Sequence, residues 1–514
     1  MLKFFGASST FMKPNLPNLS KSRVTKGLQC AKALYLSIHR PELADPGDAG
    51  RQAIFDQGNR VGIEAQKRYP GGVLIDFPPK ELSKALAETK KQIASGARVL
   101  FEATFVHSGV LVRVDILHRK DLDAPWQIEE VKSTARVKDQ HLQDAAVQAW
   151  VLRGAGLRVE QVSIVHLNSE CVYPHLDELF VAVDVTTQVM EIEKSVPALI
   201  SDLQKTLKKP KPPRIDIGPH CDSPYECEFK GHCWVEKKIP DFSLFDVPGL
   251  TADRKWALYQ EGKVELAQLS KLDEGLGPKQ KRMIEVTLSG QRQVDADAIQ
   301  KELSEWHYPL HFLDFETTAP AVPRFDGTHP FENVPFQFSC HVQMNAGGPL
   351  LHSEYLHDSS SDPREGLLKA LLASIGSSGS VVAYYQSFER RCLSDLATRF
   401  PEHADALTAI AERLVDPLPI FRASVYDREF RGSFSMKSVA PAILGHEMSY
   451  EGMAVGNGVE AQAAFDELIS DSTSEVRKKE LRGAMLEYCR KDTLAMVHLV
   501  EWLWGQGKPR PDVV

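Results

Sequence analysis

Four cysteines set the strongest constraint on how this chain can fold. Cys221, Cys227 and Cys233 lie in the run HCDSPYECEFKGHCW with five residues between neighbours, and Cys30 lies far upstream in KGLQCAKALYL. Four thiolates complete a closed zinc site or hold an iron–sulfur cluster. The spacing therefore predicts a metal centre that joins two distant segments, and the spacing alone leaves iron and zinc both open.

The composition narrows the class of protein. The chain has 514 residues, which suggests about three domains at ~150 residues each. Its formal net charge of −8 is compatible with active sites built from carboxylates beside local basic strips. Eight cysteines in a chain of this length are not the pattern of a secreted disulfide scaffold. No run approaches the ~18 apolar residues of a membrane span, so we expect a protein of a reducing, bacterial-type cytoplasm with no membrane partner.

The other four cysteines are scattered along the chain. They lie in apolar surroundings, and we expect them to be buried and to pack as small hydrophobic side chains: Cys171, Cys340, Cys392 and Cys489. The metal centre is therefore expected from the first four cysteines alone.

The segment between the cysteines has the hydrophobic pattern of an α/β domain. After a helix-like segment around Cys30, three strand candidates follow one another in ARVLFEATFVH, GVLVRVDILHR and PWQIEEVKS. The period then changes to that of a helix in HLQDAAVQAWVLRGAG, and a further strand, VEQVSIVHLN, follows.

Two of these strands carry residues suited to metal-dependent hydrolysis. Side chains alternate faces along a strand, so Glu130 and Lys132 point the same way while Glu129 points the other way. Asp115 on the preceding strand can meet Glu130 across the ladder. Two carboxylates can hold Mg²⁺ or Mn²⁺ against a phosphate, and Lys132 can orient the attacking water and stabilise developing charge.

The surroundings of this trio favour a functional site over a solvated strand face. Asp115 and Lys132 lie in otherwise apolar strands. Asp144 and Gln148 follow on the next helix one turn apart, so they share a face. The cysteines bracket the whole unit.

This half of the chain resembles the RecB-like nucleases of the PD-(D/E)xK fold that carry an iron–sulfur clamp, including the CRISPR-adaptation exonucleases and the AddB-type helicase-nucleases. Those proteins place one cysteine before the core and three after it, as residues 20 to 235 do here. The resemblance implies a 4Fe-4S cluster on the first four cysteines and a preference for single-stranded DNA. It also implies metal ligands at Asp115 and Glu130, with Lys132 catalytic and Gln148 in the site. Glu64 stands roughly where the family often has a metal-binding histidine.

A second set of acidic residues lies near the other end of the chain. The strand-like HFLDFETTAP places Asp314 and Glu316 on one face. In the final helix, Tyr488 and Asp492 are one turn apart and can face one site. Two divalent ions about 4 Å apart need several carboxylates, so this set predicts a second metal-dependent site.

This half resembles the DEDD exonucleases of the tyrosine subclass, which have an RNase H-like fold. The resemblance implies that Tyr488 hydrogen-bonds the attacking water and that a fourth carboxylate comes from the passage around Phe388. There the family usually has aspartate, whereas this chain has Glu389, with Tyr385 where an asparagine is common. Asp395 and Asp416 are weaker substitutes.

The two halves together resemble a family of uncharacterised bacterial proteins that joins both nuclease types. The resemblance implies that FRGSFSMKSVAPAIL lies near the substrate strand with Lys437 on a phosphate. We accordingly expect an α/β protein with a PD-(D/E)xK, restriction-endonuclease-like domain at 1–239, a helical linker at 240–303, and an RNase H-like domain at 304–514. A Pro-Gly-Leu turn makes part of the linker resemble a helix-hairpin-helix, although a plain helical spacer is the simpler interpretation.

Three functional hypotheses follow. The first is a dual-site, metal-dependent deoxyribonuclease acting in repair, recombination, end processing or defence, with a possible helicase partner. The second is a nucleic-acid-binding scaffold in which one site has lost its activity. Glu389, which stands where the family usually has aspartate, is the feature that supports this alternative. The third is an RNA-processing 3′-to-5′ exonuclease, because the sequence does not show contacts to the 2′-OH.

Overall fold

The computed structural model describes residues 19–47, 49–271 and 275–506, and the chain divides into two compact units. Of the described residues, the N-terminal unit comprises 19–47, 55–171 and 175–237. The C-terminal unit comprises 49–54, 172–174, 238–271 and 275–506. Each unit is of mixed α/β architecture.

The N-terminal unit is built around one mixed sheet. Its strands are β1 (Leu19–Ser20), β2 (Val73–Leu74), β3 (Val99–His107), β4 (Val110–His118), β5 (Trp126–Lys132), β6 (Val159–Leu167) and β7 (Phe180–Asp184). The helices of this part of the chain are α1 (Lys21–Gln29), α2 (Ala31–His39), α3 (Ala49–Gln66), α4 (Leu82–Ala94), α5 (Asp139–Gly154), α6 (Thr186–Glu193), α7 (Val196–Leu207) and α8 (Lys230–Glu236). Short 3-10 turns lie at Pro41–Leu43, Pro79–Glu81, Leu176–Glu178 and Pro219–Cys221.

The order of this sheet is β2-β3-β4-β5-β6-β7, with β1 pairing in parallel with the start of β4. Strands β3, β4 and β5 form an antiparallel meander, and β6 returns parallel to β5 after α5. Alternate residues of β4 and β5 enter a core with α5, as Val112, Val114 and Ile128 do. The predicted sequence of three strands, helix and strand is confirmed by these bounds.

The sequence pattern predicts that Cys30 lies within a helix, and the structure shows that it does not. It separates α1 from α2 with an extended backbone, φ −159° and ψ 113°. Its amide still donates to Lys26 O, and its carbonyl accepts from Leu34 N. The break turns the chain at the cysteine, so that one helix leads up to the thiol and a second leads away.

The C-terminal unit contains a second mixed sheet and many helices. Its strands are β8 (Gln293–Val294), β9 (Leu310–Thr318), β10 (Val334–Gln343), β11 (Leu350–Leu356), β12 (Val381–Val382), β13 (Leu414–Val415) and β14 (Val425–Tyr426). Its helices are α9 (Ala252–Gln260), α10 (Leu266–Leu269), α11 (Pro278–Ser289), α12 (Ala296–Leu303), α13 (Arg364–Ser374), α14 (Ser387–Arg399), α15 (Ala404–Glu412), α16 (Pro417–Ser424), α17 (Met436–Leu444), α18 (Gly458–Leu468) and α19 (Glu475–Gly505). Further 3-10 turns lie at Leu244–Asp246, Pro401–His403, Arg428–Phe430 and His446–Met448.

The main sheet of this unit has the order β11-β10-β9-β12-β13. The first three strands are antiparallel, and β12 joins β9 in parallel. Helix α19 crosses β10, where Met485 O accepts from Gln337 Nε2 at 2.8 Å and Thr493 Oγ1 lies 2.8 Å from Ser339 Oγ. The last helix is therefore fixed against the central strands.

The segment 240–303 packs into the core of the C-terminal unit. Leu258, Ile284 and Leu303 share one buried cluster with Val425 and Met496. Strand β8 also pairs with β14. Helices α9 to α12 thus belong to the same compact unit as the second sheet.

In the part of the chain that the structure describes, no helix is both long and apolar enough to cross a membrane.

Candidate functional site

The first candidate site lies where β4 and β5 run side by side. The register that pairs Ile116 with Glu129 sets Asp115 opposite Glu130. Asp115 Oδ2 accepts from Val131 N at 2.7 Å, which fixes this carboxylate at the ladder. Glu130 is 1% exposed and Asp115 is half-buried, so two carboxylates lie side by side with little access to solvent.

Burial and neighbouring charges act on these two carboxylates in opposite directions. Burial, followed by the charge of Glu130, raises the pKa of Asp115 to about 7. Burial would also raise the pKa of Glu130, but the ammonium groups of Lys132 and Lys21 outweigh it and hold that pKa at about 2. The metal-free site therefore keeps one carboxylate charged and the other largely neutral below pH 7.

Lys132 and helix α5 complete this arrangement as the sequence predicts. Lys132 Nζ lies 2.8 Å from Glu130 Oε1 and 2.8 Å from Asp144 Oδ2. Burial would lower the pKa of Lys132, but Glu130 and Asp144 raise it, so the lysine is a fixed cation. Gln148 Nε2 donates to Glu130 Oε2, and Gln148 Oε1 is a buried acceptor without a hydrogen-bond partner.

The opposite face of β5 is a separate ion-pair network. Glu129 Oε2 accepts from Arg68 Nη1 at 2.8 Å, and Glu129 Oε1 accepts from Tyr69 Oη at 2.8 Å. This confirms that Glu129 and Glu130 point to opposite faces. Glu64 forms an ion pair with Lys67 at 2.7 Å, and no contact to Asp115 or Glu130 joins it to the site.

Three residues of this site were not found from the sequence. Lys21 Nζ donates to Glu130 Oε1 at 2.6 Å, and Thr25 Oγ1 donates to Asp144 Oδ1 at 2.7 Å. Glu102 lies on β3 opposite Asp115 of β4, because the residues on either side of it pair with Ile116 and Val114. Its backbone has a left-handed φ of 57°. Burial raises the pKa of Glu102. A one-residue-per-turn pattern in α1 could have pointed to Lys21 and Thr25, whereas nothing local marks Glu102.

The four clustered cysteines line one small cavity in the N-terminal unit. Cys227 N donates to Cys221 O at 2.8 Å, and Cys30 packs with Cys227 beside the buried Phe229. Burial raises the pKa of Cys227 to about 11 and also raises the pKa values of Cys221 and Cys233. The fold therefore brings the distant Cys30 to the other three.

The second candidate site lies on β9 beneath α19. Ligand atoms of Asp314, Glu316 and Cys489 all lie within 4.8 Å of one another. Cys489 Sγ is 3.4 Å from Asp314 Oδ2. The burial predicted for the four scattered cysteines is confirmed, but Cys489 also belongs to this site, because it precedes Asp492 by three residues on one helical face.

Four carboxylates lie at the second site with little positive charge, three of them buried and that of Asp314 half-buried. Burial raises the pKa values of Asp314, Glu316 and Glu389 well above their usual range, and their mutual repulsion adds to this. Burial raises the pKa of Asp492 to about 6. Glu389 Oε2 and Asp492 Oδ1 are buried without hydrogen-bond partners, which is the condition that a bound cation would relieve.

Lys437 and two tyrosines close one side of this site. Lys437 Nζ lies 5.4 Å from the ring centroid of Tyr488 and 5.6 Å from that of Tyr450. It also donates to Gly456 O at 2.5 Å. Its charge acts to lower the pKa values of Asp314 and Asp492 against the effect of burial. Tyr450 was not found from the sequence, because it lies in a loop between helices without periodic pattern.

The structure also distinguishes the residues around Glu389. Asp416 accepts from three backbone amides, those of Leu418, Tyr385 and Gln386, so its carboxylate caps the start of α16. Asp395 is exposed on α14. Glu389, which is 3% exposed, is the residue of this passage that meets the carboxylates of β9.

Comparisons with known proteins cover part of the second unit. A family model described as a domain of unknown function (DUF2779) matches residues 311–435. That stretch contains Asp314, Glu316 and Glu389, whereas Lys437, Tyr488 and Asp492 follow it. No curated protein matches the chain.

Proposed function

We propose that this chain is a metal-dependent nuclease with two hydrolytic sites that cleave phosphodiester bonds of DNA in repair, recombination or defence. The observation that carries the proposal is the second site. There, four carboxylates repel one another, three of them are buried, and two of their oxygens have no hydrogen-bond partner. Such a cluster is costly unless divalent cations occupy it.

The topology of each unit supports the same proposal. An antiparallel meander followed by a helix and a parallel strand is the arrangement expected of a PD-(D/E)xK core. A central β9 with antiparallel β10 and β11 on one side and parallel β12 on the other is that expected of an RNase H-like core. In each unit an acidic pair lies on central strands, Asp115 and Glu130 on β4 and β5 and Asp314 and Glu316 on β9.

The donor set of each site fits Mg²⁺ or Mn²⁺, which prefer carboxylate and carbonyl oxygen. Asp115 and Glu130 would hold the ion of the first site. Asp314, Glu316, Glu389 and Asp492 would hold the ions of the second. The bound ion would supply Lewis-acid stabilisation of phosphate oxygens and a more acidic water.

The other residues of the first site then orient the reactants. Lys132 is held between Glu130 and Asp144, so its ammonium is fixed where it can position an attacking water and stabilise phosphate charge. Gln148 fixes Glu130 from its other oxygen.

At the second site, Tyr488 and Lys437 have comparable roles. The Tyr488 hydroxyl can hydrogen-bond an attacking water, and Lys437 can bind a phosphate of the substrate strand. The same residues could also cleave RNA, and a comparison of DNA and RNA degradation distinguishes the two substrates.

The cavity lined by Cys30, Cys221, Cys227 and Cys233 would hold an iron–sulfur cluster. Four thiolates can also hold zinc, and metal analysis of the purified chain distinguishes the two.

The test is degradation of end-labelled DNA and RNA, single- and double-stranded, by the full chain and by variants with one site inactivated. Lys132→Ala should abolish cleavage at the first site while sparing Mn²⁺ binding there, because Lys132 is not a ligand. Asp115→Ala should lose both. Asp314→Ala should remove 3′-to-5′ exonuclease activity at the second site.

The outcomes separate the hypotheses. Preferential loss of labelled RNA would favour the RNA exonuclease. Binding of DNA without cleavage in Mg²⁺ or Mn²⁺ would favour the scaffold with decayed sites and would contradict the nuclease proposal.

A further inference from the structure

Two lysine side chains contact Glu130, one more than the motif on β4 and β5 explains. Its Oε1 atom receives both Lys132 at 2.8 Å and Lys21 at 2.6 Å. Lys132 is explained by its strand position, two residues after Glu130 and therefore on the same face. Lys21 comes from the first turn of α1, and neither the motif nor the roles assigned above explain it.

The two lysines differ in how firmly they are held. Lys132 keeps a second carboxylate partner, Asp144 Oδ2 at 2.8 Å. The ammonium of Lys21 has Glu130 as its one ion-pair partner among the described residues, although Asp115 and Asp144 also attract it from further away. When a divalent cation takes Oε1 of Glu130, both lysines lose part of their attraction to that oxygen, and Lys21 is the one without a second ion pair to hold it.

The position of Lys21 is nevertheless fixed by its helix. Thr25, one turn later, donates to Asp144 Oδ1 at 2.7 Å. At the far end of α1, Gln29 Nε2 donates to His220 O at 2.8 Å and to Tyr225 O at 2.6 Å in the cysteine segment. The backbone of Lys21 therefore stays at the site even when its side chain is released.

We propose that Lys21 is a substrate-binding residue of the first site: a cation at Glu130 displaces its ammonium, which then binds a phosphate of the nucleic-acid strand. A released ammonium beside a metal-bound phosphodiester has that phosphate as its nearest anion. This inference rests on the proposed nuclease function and adds a contact to its first site. It gives the two lysines separate tasks, with Lys132 at the water and Lys21 on the strand.

The inference makes two measurable claims, the first about metal binding. In the full chain carrying Asp314→Ala, which disables the second site, Mn²⁺ affinity is measured by calorimetry with and without Lys21→Met. Lys21→Met should tighten Mn²⁺ binding about fivefold, because a competitor for Glu130 is gone. Unchanged or weaker Mn²⁺ binding would overturn the inference.

The second claim concerns the strand. Cleavage is blocked by Lys132→Ala together with Asp314→Ala, and the affinity for single-stranded DNA is measured in Mn²⁺ at several salt concentrations. Lys21→Met should reduce the slope of log affinity against log salt by about 0.7, the value of one lost phosphate contact on a single strand. Lys21→Arg keeps the charge and should keep the slope, which separates loss of contact from misfolding.

The matched control is Lys26→Met on the same helix. Lys26 pairs with Glu228 at 2.6 Å and has no contact with the carboxylates, so this variant should change neither quantity. An unchanged slope in Lys21→Met overturns the inference alone when the cleavage-blocked parent binds DNA and the chain with both sites intact cleaves it. A parent that binds Mn²⁺ but no DNA overturns the proposed function and this inference together.

Discussion

Glu389 is the single residue on which the metal preference of the second site depends. It is one methylene longer than the aspartate usual in the exonucleases that this unit resembles. It is nevertheless buried near enough to β9 for its charge to act on Glu316, whose pKa it helps to raise. Its Oε2 atom is left without a partner. The longer side chain keeps the charge that two cations require and changes where its oxygen lies.

We therefore expect the exonuclease activity of the second site to be higher in Mn²⁺ than in Mg²⁺, because Mg²⁺ demands near-ideal octahedral geometry. Glu389→Asp should lower the Mn²⁺-to-Mg²⁺ rate ratio about tenfold, or ~1.4 kcal/mol of activation free energy. The measurement is release of the 3′ label in each metal, with the first site inactivated by Lys132→Ala. Asp395→Asn on the same helix is the control and should leave the ratio unchanged. A ratio that rises in Glu389→Asp would contradict this role.

At the same scale, the sequence predicts the residues that belong to a strand pattern and misses those that the fold brings from elsewhere. Glu130 and Lys132 follow from strand alternation, and Asp492 follows from helical spacing. Lys21 was missed because its pairing with Glu130 spans 109 positions. Cys489 was placed correctly in the interior, but no local signal shows that the interior at that point is a carboxylate cluster.

Among the elements, helix α1 has the most consequential position. Its first turn carries Lys21 to the first site, and its last residue, Gln29, bonds to the cysteine segment. Cys30 follows at once. The helix therefore spans the distance from the carboxylates to the cysteine cavity within the N-terminal unit.

We expect the anaerobically purified chain to be brown, with iron in stoichiometric amount and broad absorption near ~400 nm. Cys30→Ser should lose the iron and destabilise the N-terminal unit by about 2–5 kcal/mol, the range for a cross-link that closes a long loop. Iron analysis and thermal unfolding measure both. Cys392→Ser, in the core of the other unit, is the control and should retain the iron. Stoichiometric zinc without iron would contradict the cluster.

The elements themselves were largely predictable. Strands β3 to β6 and β9 to β11 have clear alternation or apolar runs, and α5 and α19 have long helical patterns. Two features were not: the break at Cys30, because a helical pattern continues on both sides of it, and the packing of 240–303 into the C-terminal core. The packing of 240–303 depends on contacts with distant parts of the chain. Ile299, for example, shares a buried cluster with Met496, and the hydrophobic pattern of the segment alone does not predict such a contact.

For the whole molecule, the net charge of −8 is less informative than where the acidic residues lie. Several lie in two clusters in which burial raises pKa values, that of Asp115 to about 7 and that of Asp492 to about 6, although two lysines keep the pKa of Glu130 low. The metal-free folded state therefore binds protons that the unfolded chain has already released near neutral pH. The clustered carboxylates therefore lower the free energy of unfolding of the metal-free protein, and the same carboxylates are ligands for cations.

This gives a pH dependence whose sign is set by linkage. A carboxylate whose pKa is raised on folding lowers the free energy of unfolding as pH rises from its unfolded pKa to its folded one, by at most ~1.4 kcal/mol per pH unit for each group. With metal chelated, the Tm of the C-terminal unit should therefore fall as pH rises above the unfolded carboxylate pKa values of ~4, because Asp314, Glu316 and Glu389 all have raised pKa values. Saturating Mn²⁺ should reverse the trend, since the ion binds the deprotonated carboxylates. Asp314→Asn removes one of the titrating groups and its repulsion, so its Tm without metal should depend less on pH and respond less to Mn²⁺. Calorimetric unfolding of both chains checks this, and a wild-type Tm that rises with pH in chelator relative to Asp314→Asn would show that these carboxylates are not strained by burial.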